Sequence, residues 1–176
     1  MRVVAGEFRG RRLSAPRGRE IRPTSDRVRE ALFQILGPLD GIMVLDLFAG
    51  CGALGVEALS RGAARVVFVD SAEAAIAAVR GNIPAEASGR AEVLRRDAAA
   101  FLRGWRGEAF GLALLDPPYS SAPRLSGPLS EALPGVLSDD ARIVTESAKR
   151  APLHLSLPLA DERFYGTTRI AIHHVR

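Results

Sequence analysis

The chain reads as an α/β protein built on a mostly parallel sheet, and three features of its 176 residues say so. Short apolar runs alternate with stretches of helical periodicity from Met43 onward, the pattern of right-handed β-α-β crossovers. The first of those runs opens into a glycine-rich turn, Gly50-Cys51-Gly52-Ala53-Leu54-Gly55, that leads into a helix. Acids stand at the ends of four runs: Asp46, Asp70, Asp97 and Asp116. Ligands of such sheets bind outside the carboxyl ends of the strands, so these acids are expected to gather at one edge.

The elements follow in order. Arg2 to Gly6 and Arg9 to Leu13 read as a short hairpin or loose basic ribbon, followed by a loop broken by Pro16, Gly18 and Pro23. A helix starts at the capping residues Thr24-Ser25-Asp26, places Val28, Ala31, Leu32, Ile35 and Leu36 on one face, and stops at Gly37-Pro38. Arg22, Arg27, Arg29 and Glu30 are left on or near the opposite face and its entry. Strands are predicted at 43–48, 65–70, 91–95, 111–115 and 142–146, and helices at 53–61, 73–82, 98–103 and 125–137. Two more alternating runs flank Tyr165-Gly166-Thr167-Thr168 and read as a hairpin that closes the sheet antiparallel, which makes seven strands.

Length allows one domain with a proper core. We divide it into a basic amino-terminal hairpin or arm, residues 1–23, and a body, residues 24–176. No apolar stretch reaches the roughly 20 residues of a membrane span, and Met1 to Glu7 lack the apolar core of a signal peptide. The single cysteine, Cys51, cannot form an internal disulfide, which fits a reducing cytoplasm. It reads as a small residue filling a tight turn, since no activating His or Lys lies near it. His154, His173 and His174 have no metal-ligand spacing and read as surface or sheet residues, so no metal is expected. Charge is unevenly spread. Residues 1–29 carry nine arginines against Glu7, Glu20 and Asp26, a net of +6, while the remainder is −2. A basic arm on a near-neutral body is the footprint of a polyanion binder, and Arg9, Arg11, Arg12, Arg22, Arg27 and Arg29 with Thr24 are its candidate contacts.

Two motifs carry chemistry. In the first, an apolar strand leads through Asp46-Leu47-Phe48 into Gly50-x-Gly52-x-x-Gly55, with free N–H groups at the start of a helix. Asp70, ending Val66 to Val69, can accept both hydroxyls of a ribose. A nicotinamide dinucleotide would bring a pyrophosphate to this loop, and Asp46 at its mouth would repel one. A carboxylate there suits a cationic amino-acid end, which selects S-adenosylmethionine. Asp97, after Ala91 to Leu94, can accept from an adenine amino group, cap the helix at Ala98, or do both. In the second motif, Asp116-Pro117-Pro118-Tyr119 follows Gly111 to Leu115. Prolines stiffen the turn and remove donors, leaving a carboxylate and carbonyls beside a flat ring. That set can hold the exocyclic amine of a nucleobase.

Together, Asp46-x-Phe48-x-Gly50-x-Gly52 and Asp116-Pro117-Pro118-Tyr119 resemble the class I amino-methyltransferases. Arg9-Gly10-Arg11-Arg12-Leu13, Arg22-Pro23-Thr24-x-Asp26-Arg27-Val28-Arg29-Glu30-x-Leu32-Phe33, Leu54-Gly55-x-Glu57-Ala58-Leu59-Ser60-Arg61-Gly62-Ala63 and Tyr165-Gly166-Thr167-Thr168 narrow the resemblance to the RsmD family of bacterial 16S rRNA (guanine-N2)-methyltransferases. It covers essentially the whole chain. It implies a Rossmann-like class I methyltransferase fold and S-adenosylmethionine as cofactor. Asp46, Phe48, Gly50 and Gly52 would hold the methionine end, Asp70 the ribose and Asp97 the adenine. Asp116 to Tyr119 would receive guanine, and the arginine-rich amino terminus would grip 16S rRNA in an assembling small ribosomal subunit. A cytoplasmic monomer is expected. The sequence departs from the family at Cys51, where Ser or Thr is usual, and after Tyr119, where the segment is short and rich in Ser, Pro and Gly.

Rival readings share part of this evidence. The nearest is an amino-methyltransferase acting on adenine N6 of rRNA or DNA. A non-catalytic RNA-binding assembly factor would retain the pocket without turnover, but acids at all four strand ends speak against it. A glutamine-modifying protein methyltransferase favours Asn before Pro-Pro and needs no basic arm. A nicotinamide oxidoreductase is disfavoured by Asp46 and by the lack of a hydride-handling His or Tyr-x-x-x-Lys pair.

Overall fold

The alternating pattern folds into one twisted sheet, described by a computed structural model that covers residues 1–16 and 25–176. Its strands are β1 (Met43–Leu47), β2 (Arg65–Asp70), β3 (Ala91–Arg95), β4 (Phe110–Leu115), β5 (Leu137–Ala148), β6 (Leu159–Tyr165) and β7 (Thr168–His174). They lie in the order β3-β2-β1-β4-β5-β7-β6. All pairs are parallel except those of β7, which runs antiparallel to both neighbours. The order reverses between β1 and β4, so the connections leaving these strands diverge and open a crevice at their carboxyl ends.

Among the described residues five α-helices cover the sheet: α1 (Asp26–Leu36), α2 (Ala53–Ser60), α3 (Glu73–Asn82), α4 (Ala98–Gly104) and α5 (Ala122–Ala132). Successive strand side chains point to opposite faces, and the core splits accordingly. Val44, Phe68, Leu112, Leu114 and Val144 pack with Leu32 and Phe33 of α1, Val56 and Leu59 of α2, and Val3 and Leu13 of the amino-terminal segment. Leu45, Leu47, Val67, Ala113 and Leu115 pack with Phe101 and Leu102 of α4 and Leu129 of α5.

The amino-terminal residues form a tight hairpin. Arg2 bridges Arg12, Val3 N–H donates to the Arg11 carbonyl at 2.9 Å, and Gly10 N–H donates to the Val3 carbonyl at 2.9 Å. Two side chains of α2 seat it. The fully buried Glu57 carboxylate accepts from Val4 N–H (2.7 Å), Ala5 N–H (3.1 Å) and Arg61 Nε (2.7 Å). Ser60 Oγ accepts from Phe8 N–H and donates to the Ala5 carbonyl. A buried acid met by three donors is satisfied rather than strained.

The structure departs from two of the predicted elements. The helix expected at 125–137 begins at Ala122, because the Pro118 carbonyl accepts from Ser121 and Ala122 N–H, and it ends in a 3₁₀ turn, Leu133–Val136. β5 extends well beyond 142–146, because Leu137 pairs with Phe110 and Ala148 with Thr168. Of the histidines read as surface or sheet residues, His173 is a sheet residue: it lies in β7 and is buried, with Nδ1 3.1 Å from the Leu157 carbonyl.

Gly55 marks the tightest approach between helix and sheet. A Cβ there would stand 2.2 Å from Phe68 Cε1 and 2.8 Å from Asp46 Oδ2, so α2 can lie this close only without a side chain. Gly55→Ala is expected to lower stability by about 1–3 kcal/mol in urea denaturation. Gly81→Ala, in α3 with nothing within 4 Å of the new methyl, is expected to raise it by about 0.5–1 kcal/mol. Equal midpoints for the two variants would contradict this packing.

Candidate active site

The glycine loop is shaped by the acids at the ends of β1 and β2. Phe48 and Ala49 N–H both donate to the Val69 carbonyl at 3.0 Å, which turns the chain back over β2. The turn holds Phe48 at φ +69°, the one positive φ outside glycine among the described residues and a conformation that costs a side chain about 1 kcal/mol. Gly50 N–H donates to Asp70 Oδ2 at 2.9 Å, and Ala72 N–H to Asp70 Oδ1 at 2.8 Å. Gly52, at φ +77°, caps α2, and Gly55 N–H donates to Asp46 Oδ2 at 2.9 Å. Cys51 lies buried in the turn, and burial pushes its thiol up from the ordinary value, away from the thiolate a nucleophile requires.

Asp46, Asp70 and Asp116 share one strand parity, that of Val44, Phe68 and Leu114, and so face the α1 and α2 side together. A fourth acid joins them that the sequence reading did not single out. Glu146 on β5 has the parity of Val144 and is 3% exposed. Leu115 pairs with Thr145, so Asp116 and Glu146 are the next neighbours in register. Glu146 ends the predicted strand 142–146, two residues after Ile143-Val144, a blurred form of the signal that marked the other acids.

This crowding has electrostatic consequences. Burial pushes the Asp46 carboxyl up to about 7, against the Gly55 hydrogen bond and with the help of the Asp70 charge. Burial also holds Asp116 well above the ordinary carboxylate range, and the charges of Glu146 and then Asp46 act in the same direction. Asp46 and Asp116 are thus held toward their neutral forms, which a cation or an N–H donor entering the crevice would reverse. The donor chemistry it demands fits an S-adenosylmethionine amino group and an amine-bearing base, and it would repel a phosphate.

The other predicted site residues separate into those near the crevice and those apart from it. Pro117 is buried, Pro118 exposed and Tyr119 half-buried, with Pro118 held through its carbonyl by the start of α5. Asp97, at the end of β3, is exposed and caps α4 by accepting from Ala100 N–H at 2.9 Å. Arg9, Arg11 and Arg12 on the hairpin are exposed, as is Arg27 on α1. The hairpin rests on Ser60, at the far end of an eight-residue helix from the glycine loop. Arg29 corrects the surface reading given to it. It is 0% exposed, and its Nη2 donates to Asp26 Oδ1 at 2.8 Å and to the Arg2 carbonyl, bracing α1 against the hairpin that covers it. Arg22 and Thr24 lie outside the described residues.

One buried side chain absent from the predicted set joins these parts. Asn82, at the end of α3, donates through Nδ2 to the Cys51 carbonyl and the Ser14 carbonyl, each at 2.9 Å, and accepts from Ser14 N–H at 2.8 Å. An asparagine at a helix end reads as a terminator, so nothing in its sequence context announces this role.

Comparison with known proteins agrees with the geometry. The model of the family described as conserved hypothetical protein 95 matches residues 1–174. YlbH of Bacillus subtilis (strain 168), provisionally named an rRNA methyltransferase, is 39% identical over 184 residues spanning all of both chains. Ribosomal RNA small subunit methyltransferase D of Escherichia coli (strain K12) is 37% identical over 153 residues, covering 84% of this chain and 74% of its own. Among solved structures, the hypothetical protein TTHA0928 of Thermus thermophilus superposes with a TM-score of 0.83 at 32% identity, covering 99% of each chain. The chain belongs to this family, the RsmD family of class I methyltransferases, and S-adenosylmethionine is its cofactor.

Proposed function

We propose that the chain methylates the exocyclic N2 amine of a guanine in small-subunit rRNA. The observation that carries this reading is Asp116-Pro117-Pro118-Tyr119 standing at the switch point between β1 and β4, beside the acid-lined glycine loop. The printed name of the Escherichia coli relative supports the choice of rRNA. In this reading Asp46, Phe48, Gly50 and Gly52 hold the methionine end of the cofactor, Asp70 the ribose and Asp97 the adenine. Arg9, Arg11, Arg12 and Arg27, with Arg22 and Thr24, meet the phosphates of an assembling subunit. The basic hairpin serves as the RNA-binding unit of a cytoplasmic monomer, and the rest of the chain is its methyltransferase domain.

The cofactor supplies a methyl group on a positively charged sulfur, which keeps the electron pair as the new nitrogen–carbon bond forms. What the protein must do is position an unreactive amine, since its lone pair is delocalised into the base. Asp116 and the Pro117 carbonyl accept the two amine N–H groups, which directs the lone pair out of the ring plane. Positive charge grows on that nitrogen, and an acceptor already aimed at it needs no reorganisation. Asp116 then takes the proton that the methylated amine releases. Its raised pKa suits that task, and Tyr119 stacks on the base. RNA must deliver the guanine from a loop or flipped out of its stack.

Methyl transfer to undermethylated small subunits, naked 16S rRNA and duplex DNA, read by mass spectrometry of the nucleosides, tests the reading directly. N2-methylguanosine from subunits is expected; N6-methyladenine, or no methyl on either RNA, overturns it. Asp116→Asn is expected to lower kcat by at least about 100-fold while the Kd for S-adenosylhomocysteine changes less than about threefold.

Asp46 generates a pH dependence. In the unliganded protein it keeps its proton up to about 7, whereas the unfolded chain loses it near the ordinary value of 3.8. The folded state therefore binds more protons between these values, and stability falls as pH rises through that window. A cationic amino group beside Asp46 favours the ionised form, so binding expels a proton below pH 7 and affinity rises with pH to about 7. Calorimetric titration with S-adenosylhomocysteine from about pH 5.5 to about 8, a window that brackets this value, is expected to show the rise, and Asp46→Asn to flatten it. An affinity independent of pH in the natural protein would remove Asp46 from the cofactor site.

A further inference from the structure

The mechanism uses Asp116 and leaves Glu146 without a task. Glu146 is as deeply buried as Asp46, faces the same side of the sheet, and follows Asp116 in register on the neighbouring strand. Adjacent strands lie about 4.8 Å apart, so two such side chains can meet neighbouring groups on one edge of one base. The extra methylene of Glu lets it reach further over the crevice than Asp116.

A carboxylate beside the amine site favours a base that offers it an N–H, and nucleobases differ in what they bring. On its Watson–Crick edge guanine presents N1–H directly beside the N2 amine, giving three N–H groups in a row. Adenine presents its N6 amine beside N1, which there is a bare lone pair. A carboxylate next to the amine site therefore attracts one base and repels the other. A carboxylate has about four acceptor positions on its two oxygens, enough to take N1–H in addition to other partners.

We infer that Glu146 is the base-selecting residue of the site: it accepts N1–H of guanine while Asp116 and the Pro117 carbonyl hold the N2 amine. This rests on the reading of the chain as an amino-methyltransferase and goes beyond it, because it says why guanine is taken and adenine refused. Asp116-Pro117-Pro118-Tyr119 alone carries no such choice, since both bases offer an exocyclic amine.

The test compares two RNAs in reconstituted subunits, one with guanine at the position mapped by product mass spectrometry and one with 2-aminopurine there. 2-Aminopurine keeps the C2 amine but has a lone pair at N1. The natural enzyme is expected to prefer guanine in kcat/KM by at least about 100-fold, as buried acceptors reject analogues that lack the donor. Glu146→Gln can turn its amide to donate to N1, so its preference is expected to fall at least about tenfold below that of the natural enzyme. The missing O6 of 2-aminopurine is common to both enzymes and cancels in the ratio of the two preferences. Preferences that agree within about threefold overturn the assignment of Glu146, as does comparable turnover of both RNAs by the natural enzyme. Titration with S-adenosylhomocysteine verifies that the variant is folded; if it is not, Glu146→Asp takes its place. That change withdraws the acceptor by one methylene and is expected to raise KM for guanine without changing that for 2-aminopurine. Methyl found only on adenine, or on no base, counts against the proposed function itself rather than against Glu146 alone.

Discussion

Two hydrogen bonds from loop backbone to strand-end carboxylates, Gly50 to Asp70 and Gly55 to Asp46, are what the remaining architecture depends on. They fix where the glycine loop leaves β1 and where α2 begins. The start of α2 decides where Glu57 and Ser60 emerge, and those two side chains seat the amino-terminal hairpin. A pair of contacts made for a ligand-binding loop thus also sets the position of a segment far away in sequence.

Two acids at this edge, Asp46 and Asp116, cost stability when ionised. Asp46 and Asp116 lie in an environment that favours their neutral forms, and Asp70 and Glu146 add two more carboxyls on the same face. Removing one partner from a satisfied buried pair is costly, whereas replacing such a cluster by apolar side chains is often neutral or favourable. Glu57 shows the contrast. It is fully buried with three donors and holds structure together, while Asp46 and Asp116 are held toward their protonated forms at the edge where a ligand enters.

Much of this was legible in the sequence because local rules sufficed. β1 to β4 are apolar runs with clear ends, and the glycine loop, Asp46, Asp70 and Asp116 follow from their order along the chain. Where the reading fell short, tertiary contacts overrode local ones. Arg29 lies on the polar side of its helix by periodicity, yet the hairpin folds over that side and buries it. β5 outgrew its apolar run because Ser138-Asp139-Asp140, turn-like on its own, continues a strand that begins beside Phe110. The start of α5 depended on the Pro118 carbonyl, which no window of residues reveals. Glu146 obeyed the rule used for the other acids but stood among polar neighbours that blurred the strand end. Asp97 fits two roles by its position, and the cap is the one made within the protein.

Asn82 has a consequence of a different kind. Its single amide holds the carbonyl of Cys51 in the cofactor loop and both backbone groups of Ser14, from which the chain runs on toward α1. The amino-terminal segment and the glycine loop therefore share one anchor. A drift at this position loosens both at once, so a lineage cannot reshape one segment there without disturbing the other. That makes a helix terminus with no chemistry of its own one of the least negotiable positions in the molecule.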